Sequence, residues 1–441
     1  MRLSMPTGRR RRLLFIVLGL LAAVVVAGPN LWAWYHLARG RAELDRFHAE
    51  RALKHFQQCL SIWPGSSEAR LLACRAARRA GDLEEADHEL RELQHRHPQP
   101  SDDAALEWAL LRASGGDLES VEVPLHNQAD KDTVKAPLIW EALATGYLRY
   151  HRTLDALACL DNWLRVQPEN IGALVLRGDA WYFGRSPDKA RRDYARALEL
   201  DPEQHMARWR LAQCLLDTGR YDEALVHLEE VRQHRPDDPE VVARIARCQH
   251  VLGRTKQARD LLSEALVRHP DNVMLLRTQG QLDLMSDRVT EAEESLRRAF
   301  TADPEDYYTA YALANALSRL HRTEEAKQLQ NRADRLKARL ERLYDLTTRG
   351  IAARPLDPAL YAEVGALFME MGRKDVGEVW LQSALQHDPT YRPAHAALAD
   401  LYESLGDRQQ AAYHRREAGG AAPPKWESAS KSITEVNPSA N

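Results

Sequence analysis

The stretch IGALVLRGDAWYFGRSPDKARRDYARALELDP, residues 171–202, decides the fold. Apolar and small residues recur in it at helical spacing: Leu174, Gly178 and Trp181, then Ala190, Tyr194 and Ala197. Arg185-Ser186-Pro187 interrupts the pattern and Asp201-Pro202 closes it. The spacing predicts two amphipathic helices joined by a tight turn.

Working outward, the closing proline repeats. Pro168, Pro202, Pro236, Pro270 and Pro304 stand 34 residues apart, as do the pairs Pro64/Pro98 and Pro355/Pro389. Small residues keep the same phase. Ala144, Gly178, Ala212, Ala246, Gly280, Ala314 and Gly365 fall where a first helix must approach a second. Ala86, Ala156, Ala190, Ala224, Ala258, Ala292 and Ala411 fill the matching place in the second helix. A phase held this long predicts a stack of helix pairs, each packed on its neighbours, rather than two or three globular domains.

The order of large, small and aromatic residues in 171–202 resembles the tetratricopeptide repeat (TPR). That resemblance implies an all-α fold, a TPR solenoid wound as a right-handed superhelix of about ten repeats over residues 38–418. It also implies that first helices line a concave groove. Projecting the register onto that face selects Met206, Trp209, Gln213, Arg247, Arg277, Gln281, Tyr308, Tyr311, Asn315 and Arg319, with Asp217, Glu240 and Met274 beside them. An exposed Trp with Met, Tyr and Arg nearby has the composition of a binding hot spot. The competing reading packs Trp209 on the adjoining repeat. The Lys and Asn set of the family's carboxylate-clamp members is not reproduced, so recognition of acidic chain ends does not carry over.

The N-terminus has its own character. Residues 1–12 form a basic segment with five arginines. Leu13–Ala27 has no polar side chain, and Trp32, Trp34 and Tyr35 follow. Residues 13–37 are expected to form a transmembrane signal-anchor helix, since the 23 residues from 13 to 35 alone reach about 35 Å as helix. The aromatic cluster would sit at the far headgroup level. The alternative is a signal peptide cut after Ala27, giving a secreted protein. In both readings the arginines stay in the cytoplasm and the repeats lie outside it, in the periplasm if the envelope is Gram-negative.

The period fails once. Pro304 to Pro355 is 51 residues, and no Gly or Pro occurs from Thr323 to Arg349. One long helix is expected over 323–350, completing a repeat and then projecting beyond the array. It is either a solvated spacer or a docking surface along Leu336, Leu340, Leu343 and Leu346. The tail, 419–441, is Gly/Ala/Pro/Ser-rich and expected to be disordered.

Little points to chemistry. The five cysteines share no metal-type spacing and read as small buried hydrophobes. Histidines cluster at helix ends, where a cation complements the helix dipole. His269-Pro270-Asp271 spells the tripeptide of J-domain co-chaperones but falls on a repeat-closing turn. Phosphate-binding, nucleophile-elbow and zinc-protease signatures are missing. No enzyme, cofactor, metal or small-molecule substrate is expected. With the five N-terminal arginines set aside the charge of −3 becomes −8, against a nucleic-acid footprint. The expected function is a membrane-tethered scaffold holding a protein or peptide partner in bacterial envelope assembly. Alternatives are a regulatory subunit of a membrane enzyme and a secreted chaperone.

Overall fold

The computed structural model describes residues 27–99 and 101–420, and the regular structure among them is entirely helical. The basic segment 1–12, the run from Leu13 through Val26 and the tail from Ala421 lie outside the described residues. Among the described residues no helix is long and apolar enough to cross a membrane. The chain divides into two compact units, 1–146 with 159–173, and 147–158 with 174–441.

Helix pairs follow the proline period. Ile171–Phe183 pairs in sequence with Pro187–Leu200, His205–Asp217 with Tyr221–His234, and Pro239–Val251 with Thr255–Arg268. Each closing proline stands two residues past a second helix, where a missing N–H and a fixed φ end the helix at little cost. His269 is the C-cap of one such helix, so His269-Pro270-Asp271 is a turn here. The seams need small residues for a steric reason. A Cβ on Gly178 would lie 2.6 Å from the Tyr194 ring, and one on Gly280 would lie 2.5 Å from Leu296. Ala190 and Ala224 are fully buried. All five cysteines are buried and free.

The turn inside each pair carries a second period. A residue with φ between 56° and 96° stands at 47, 81, 116, 151, 185, 219, 253, 287, 321, 372 and 406. Glycine fills six of these places, because an L side chain in that region crowds its own backbone. Phe47, His151, Arg185, Asp287 and His321 fill the others.

A third regularity ties each closing turn to the helix after it. The side chain six residues past the proline reaches back to its carbonyl. Arg70 donates to Pro64 O at 3.1 Å, Arg208 to Pro202 O at 2.7 Å and Tyr361 to Pro355 O at 2.9 Å. His395 Nε2 donates to Pro389 O at 2.9 Å. The residue 19 places further on packs against this latch. Glu89 pairs with Arg70 at 2.6 Å. His414 Nδ1 lies 2.8 Å from His395 Nδ1; His36 and His55, also 19 apart, bring their Nδ1 atoms to 2.7 Å outside the proline latch. Since a carbonyl only accepts, His395 carries its proton on Nε2, and His414 must donate to its Nδ1.

In the first unit the helix over 27–45 supplies the first half of a repeat. Ala33, Leu37 and Leu44 bury against Ala52, Phe56 and Cys59. Its other face is open: Leu31, Trp32, Trp34 and Tyr35 are each about half exposed or more. The degenerate stretch after Ser101 forms Asp102–Gly115 and a shortened second helix, Glu122–Lys131.

In the second unit the long helix is Thr323–Asp345, continued by a π-turn over Leu346–Gly350. The expectation that it projects is corrected. Leu336 packs with Ala310 and Ala333, and Leu346 joins Leu360, Leu381 and Leu398 in the following core. Ion pairs hold it along its length: Arg332 and Arg339 to Glu305, and Arg342 to Glu363 at 2.7 Å. The helix is therefore an internal joist between repeats, not a solvated spacer.

Candidate functional site

The second unit carries an open cavity of about 1110 Å³. Its position follows from the non-glycine turns. His151, forced to φ 57°, stacks on Trp380 with ring centroids 3.5 Å apart and planes within 8°. Arg185, also at φ 57°, places its guanidinium 5.3 Å from the Tyr344 ring centroid. Residues far apart in sequence thus meet across one space, with the joist helix forming a wall through Lys337, Leu340, Leu343 and Tyr344.

The lining is aromatic and largely uncommitted. Phe183, Tyr308 and Tyr344 are 47%, 57% and 53% exposed, high values for side chains of this size inside a folded unit. Tyr182 donates to Asp217 at 3.0 Å, and burial with this carboxylate pushes its phenol up to about 12, so the donor stays protonated. Burial holds the His151 imidazole down at about 4, so it stacks as the neutral ring. Glu341 pairs with Lys337 along the helix at 3.5 Å, and Asp345 with Arg349 at 3.4 Å. The site offers ring faces, apolar walls and a few hydrogen-bonding groups. At this volume it exceeds a typical small-molecule cleft and has room for a polypeptide segment. Among the described residues no group of three or more His, Cys, Asp or Glu is arranged to hold a metal ion.

The residues selected from the register do not converge on one place. Tyr308 and Asp217 line the large cavity. Tyr311, Asn315 and Arg319 line a separate depression of about 640 Å³ with Lys327 and Gln330. Met206, Trp209, Gln213, Arg247, Arg277 and Gln281 line neither. Met206 is exposed and meets Arg235 through its sulfur at 3.7 Å. Arg247 is exposed above Tyr221. Arg277 donates to Asp306 at 2.6 Å and faces the Tyr308 ring. Gln213 and Gln281 are half-buried. The exposed-Trp expectation is corrected: Trp209 is 7% exposed, with Arg244 of the next repeat 5.2 Å from its ring centroid. A register within one helix pair cannot say what the next pair covers.

Register reasoning missed Phe183, Tyr344, His151 and Trp380. Part of the signal was present: Arg185 and His151 stand where the turn period would place glycine.

Comparison with known proteins bears on the repeats. A family profile described as "Tetratricopeptide repeat" matches residues 43–112 and 215–282, and a second profile of the same description matches 179–228. A DnaJ homolog subfamily C member 7 homolog of Schizosaccharomyces pombe is 27% identical over 191 residues, 40% of this chain and 40% of that protein. The TPR repeat-containing protein PA4667 of Pseudomonas aeruginosa is 27% identical over 226 residues, 49% of this chain and 35% of that one. The chain thus spans two fifths or less of the length of these curated relatives. Among solved structures, YrrB, described as a TPR protein with an unusual peptide-binding site, aligns with 15% identity over 41% of this chain and 92% of its own, with a TM-score of 0.32. Helix pairs, proline period and profile matches agree over residues 43–112 and 179–282, which are similar to the tetratricopeptide repeat.

Proposed function

We propose that the chain is a tethered scaffold whose second unit holds a segment of a partner polypeptide in the aromatic-lined cavity. The observation that carries this reading is the convergence of Phe183, Tyr308 and Tyr344, all about half exposed, on one open cavity. Aromatic rings supply large contact area with few rotatable bonds, the character of interface anchors. The partner segment is therefore one with apolar or aromatic side chains, bound in extended form among the rings. The tether is the apolar run Leu13–Ala27 and the helix that follows it. Support comes from the open face of that helix, where Leu31, Trp32, Trp34 and Tyr35 have the amphipathic character of a headgroup belt. With arginines before the run, the repeats work on the extracytoplasmic side, within a bacterial envelope assembly.

The test is co-purification from native membranes with the intact chain and with a Tyr308→Ala/Tyr344→Ala pair. Loss of one discrete partner from the pair, with helical content unchanged, is the expected result. Equal recovery of that partner from both would remove the cavity from the account.

A further inference from the structure

One cluster in the first unit sets three guanidiniums against two carboxylates. Helix Ser67–Ala80 turns Arg75, Arg78 and Arg79 toward Glu107 and Glu141, both of which are 1% exposed. Arg79 holds Glu141 through two nitrogens, Nε at 2.8 Å from Oε1 and Nη2 at 2.5 Å from Oε2. Its Nη1 donates to Leu44 O at 2.9 Å. Arg75 Nε donates to Glu107 Oε1 at 2.9 Å. Three guanidiniums therefore face two carboxylates. The neighbouring Arg70–Glu89 pair is neutral and leaves the difference unchanged.

The excess falls on Arg78, whose side chain is 1% exposed. Only its Nη1 is engaged, at 3.2 Å from Ser114 Oγ and 3.3 Å from Glu141 Oε1. Nε and Nη2 are buried with no hydrogen-bond partner among the described residues. These two nitrogens form one edge of the planar fork, the edge that presents two parallel N–H groups to a single anion. A buried cation in this state is costly, and an anion on that edge would supply both the missing charge and the two acceptors.

We propose that the Nε–Nη2 edge of Arg78 binds one chloride-sized monovalent anion. The charge follows from the excess of one. The size follows from the burial, which leaves no route for a ligand tethered to a larger molecule. Glu107 Oε2 is likewise buried without a partner.

Thermal unfolding of the full chain would be followed as chloride replaces methanesulfonate at constant ionic strength, in the native protein and in Arg78→Gln. The native midpoint should rise by about 2 °C or more over a hundredfold increase in chloride, and the variant's should not move. Because Arg78→Gln could fail to fold, Glu107→Gln serves as a second arm. It raises the excess to two charges and should steepen the chloride dependence. Bromide-grown crystals should show an anomalous peak within hydrogen-bond distance of Nε and Nη2. A chloride response equal in native and Arg78→Gln proteins, a flat response in Glu107→Gln, or a bromide map with Glu107 turned onto the edge would each overturn the assignment.

Discussion

The turns at Gly219 and Gly253 and the turns at His151 and Arg185 share one backbone conformation and serve different ends. The glycines adopt φ 75° and 79° without strain, and a Cβ there would meet nothing within 4 Å. His151 and Arg185 accept an unfavourable conformation, and both side chains reach distant parts of their unit, Trp380 and Tyr344. Phe47 behaves alike in the first unit, packing on Gly172 and beneath Arg79. At Phe47, His151 and Arg185 the strained turn goes with a second task, whereas Asp287 and His321 take the same conformation at exposed positions. In the second unit that task is closing the cavity.

The comparison breaks most severely at its far partner. Trp380→Ala should cost about 3–5 kcal/mol in a denaturant titration, because Trp380 is 7% exposed and lies in the core around Leu360 and Leu381. It should also abolish the His151 contact. Acid attacks the same contact from the other side. The folded pKa of His151 lies near 4, below the ordinary 6.5, so its stabilisation is complete above pH 6.5 and is lost as pH falls toward 4. The loss should reach about 1–3 kcal/mol, and His151→Phe, which keeps a stacked ring without the proton, should flatten the profile.

Substitution at the glycine turns sharpens the contrast. Gly253→Ala should cost about 1–2 kcal/mol from φ alone, with no change in partner binding. Arg185→Gly should change stability by less than about 1 kcal/mol, since relief of strain opposes loss of the Tyr344 contact. Its effect should appear in partner affinity, measured by titration of the purified partner.

The difference between these turns also explains what could be read in advance. Helix pairs, seams and the long helix were legible because each depends on residues within one or two periods: Pro202 ends a helix locally, and Gly178 answers Tyr194 sixteen positions on. The latch was present in the same form, as Arg70 with Glu89 and His395 with His414, both 19 apart. The cavity was not legible. A one-dimensional phase says which face a residue occupies in its own pair, so it misplaced Trp209 and left Leu336 and Leu346 without partners. It cannot say that residue 151 meets residue 380, because that depends on how small rotations between repeats accumulate.

A photoreactive side chain placed at Tyr344, with a matched control at Val267 on the outer face, tests the central claim most directly. Val267 is 84% exposed and lines neither depression. On illumination in native membranes, position 344 should capture one discrete polypeptide that position 267 does not, and Tyr308→Ala should reduce its yield. Capture of the same species with equal yield from both positions would contradict the account.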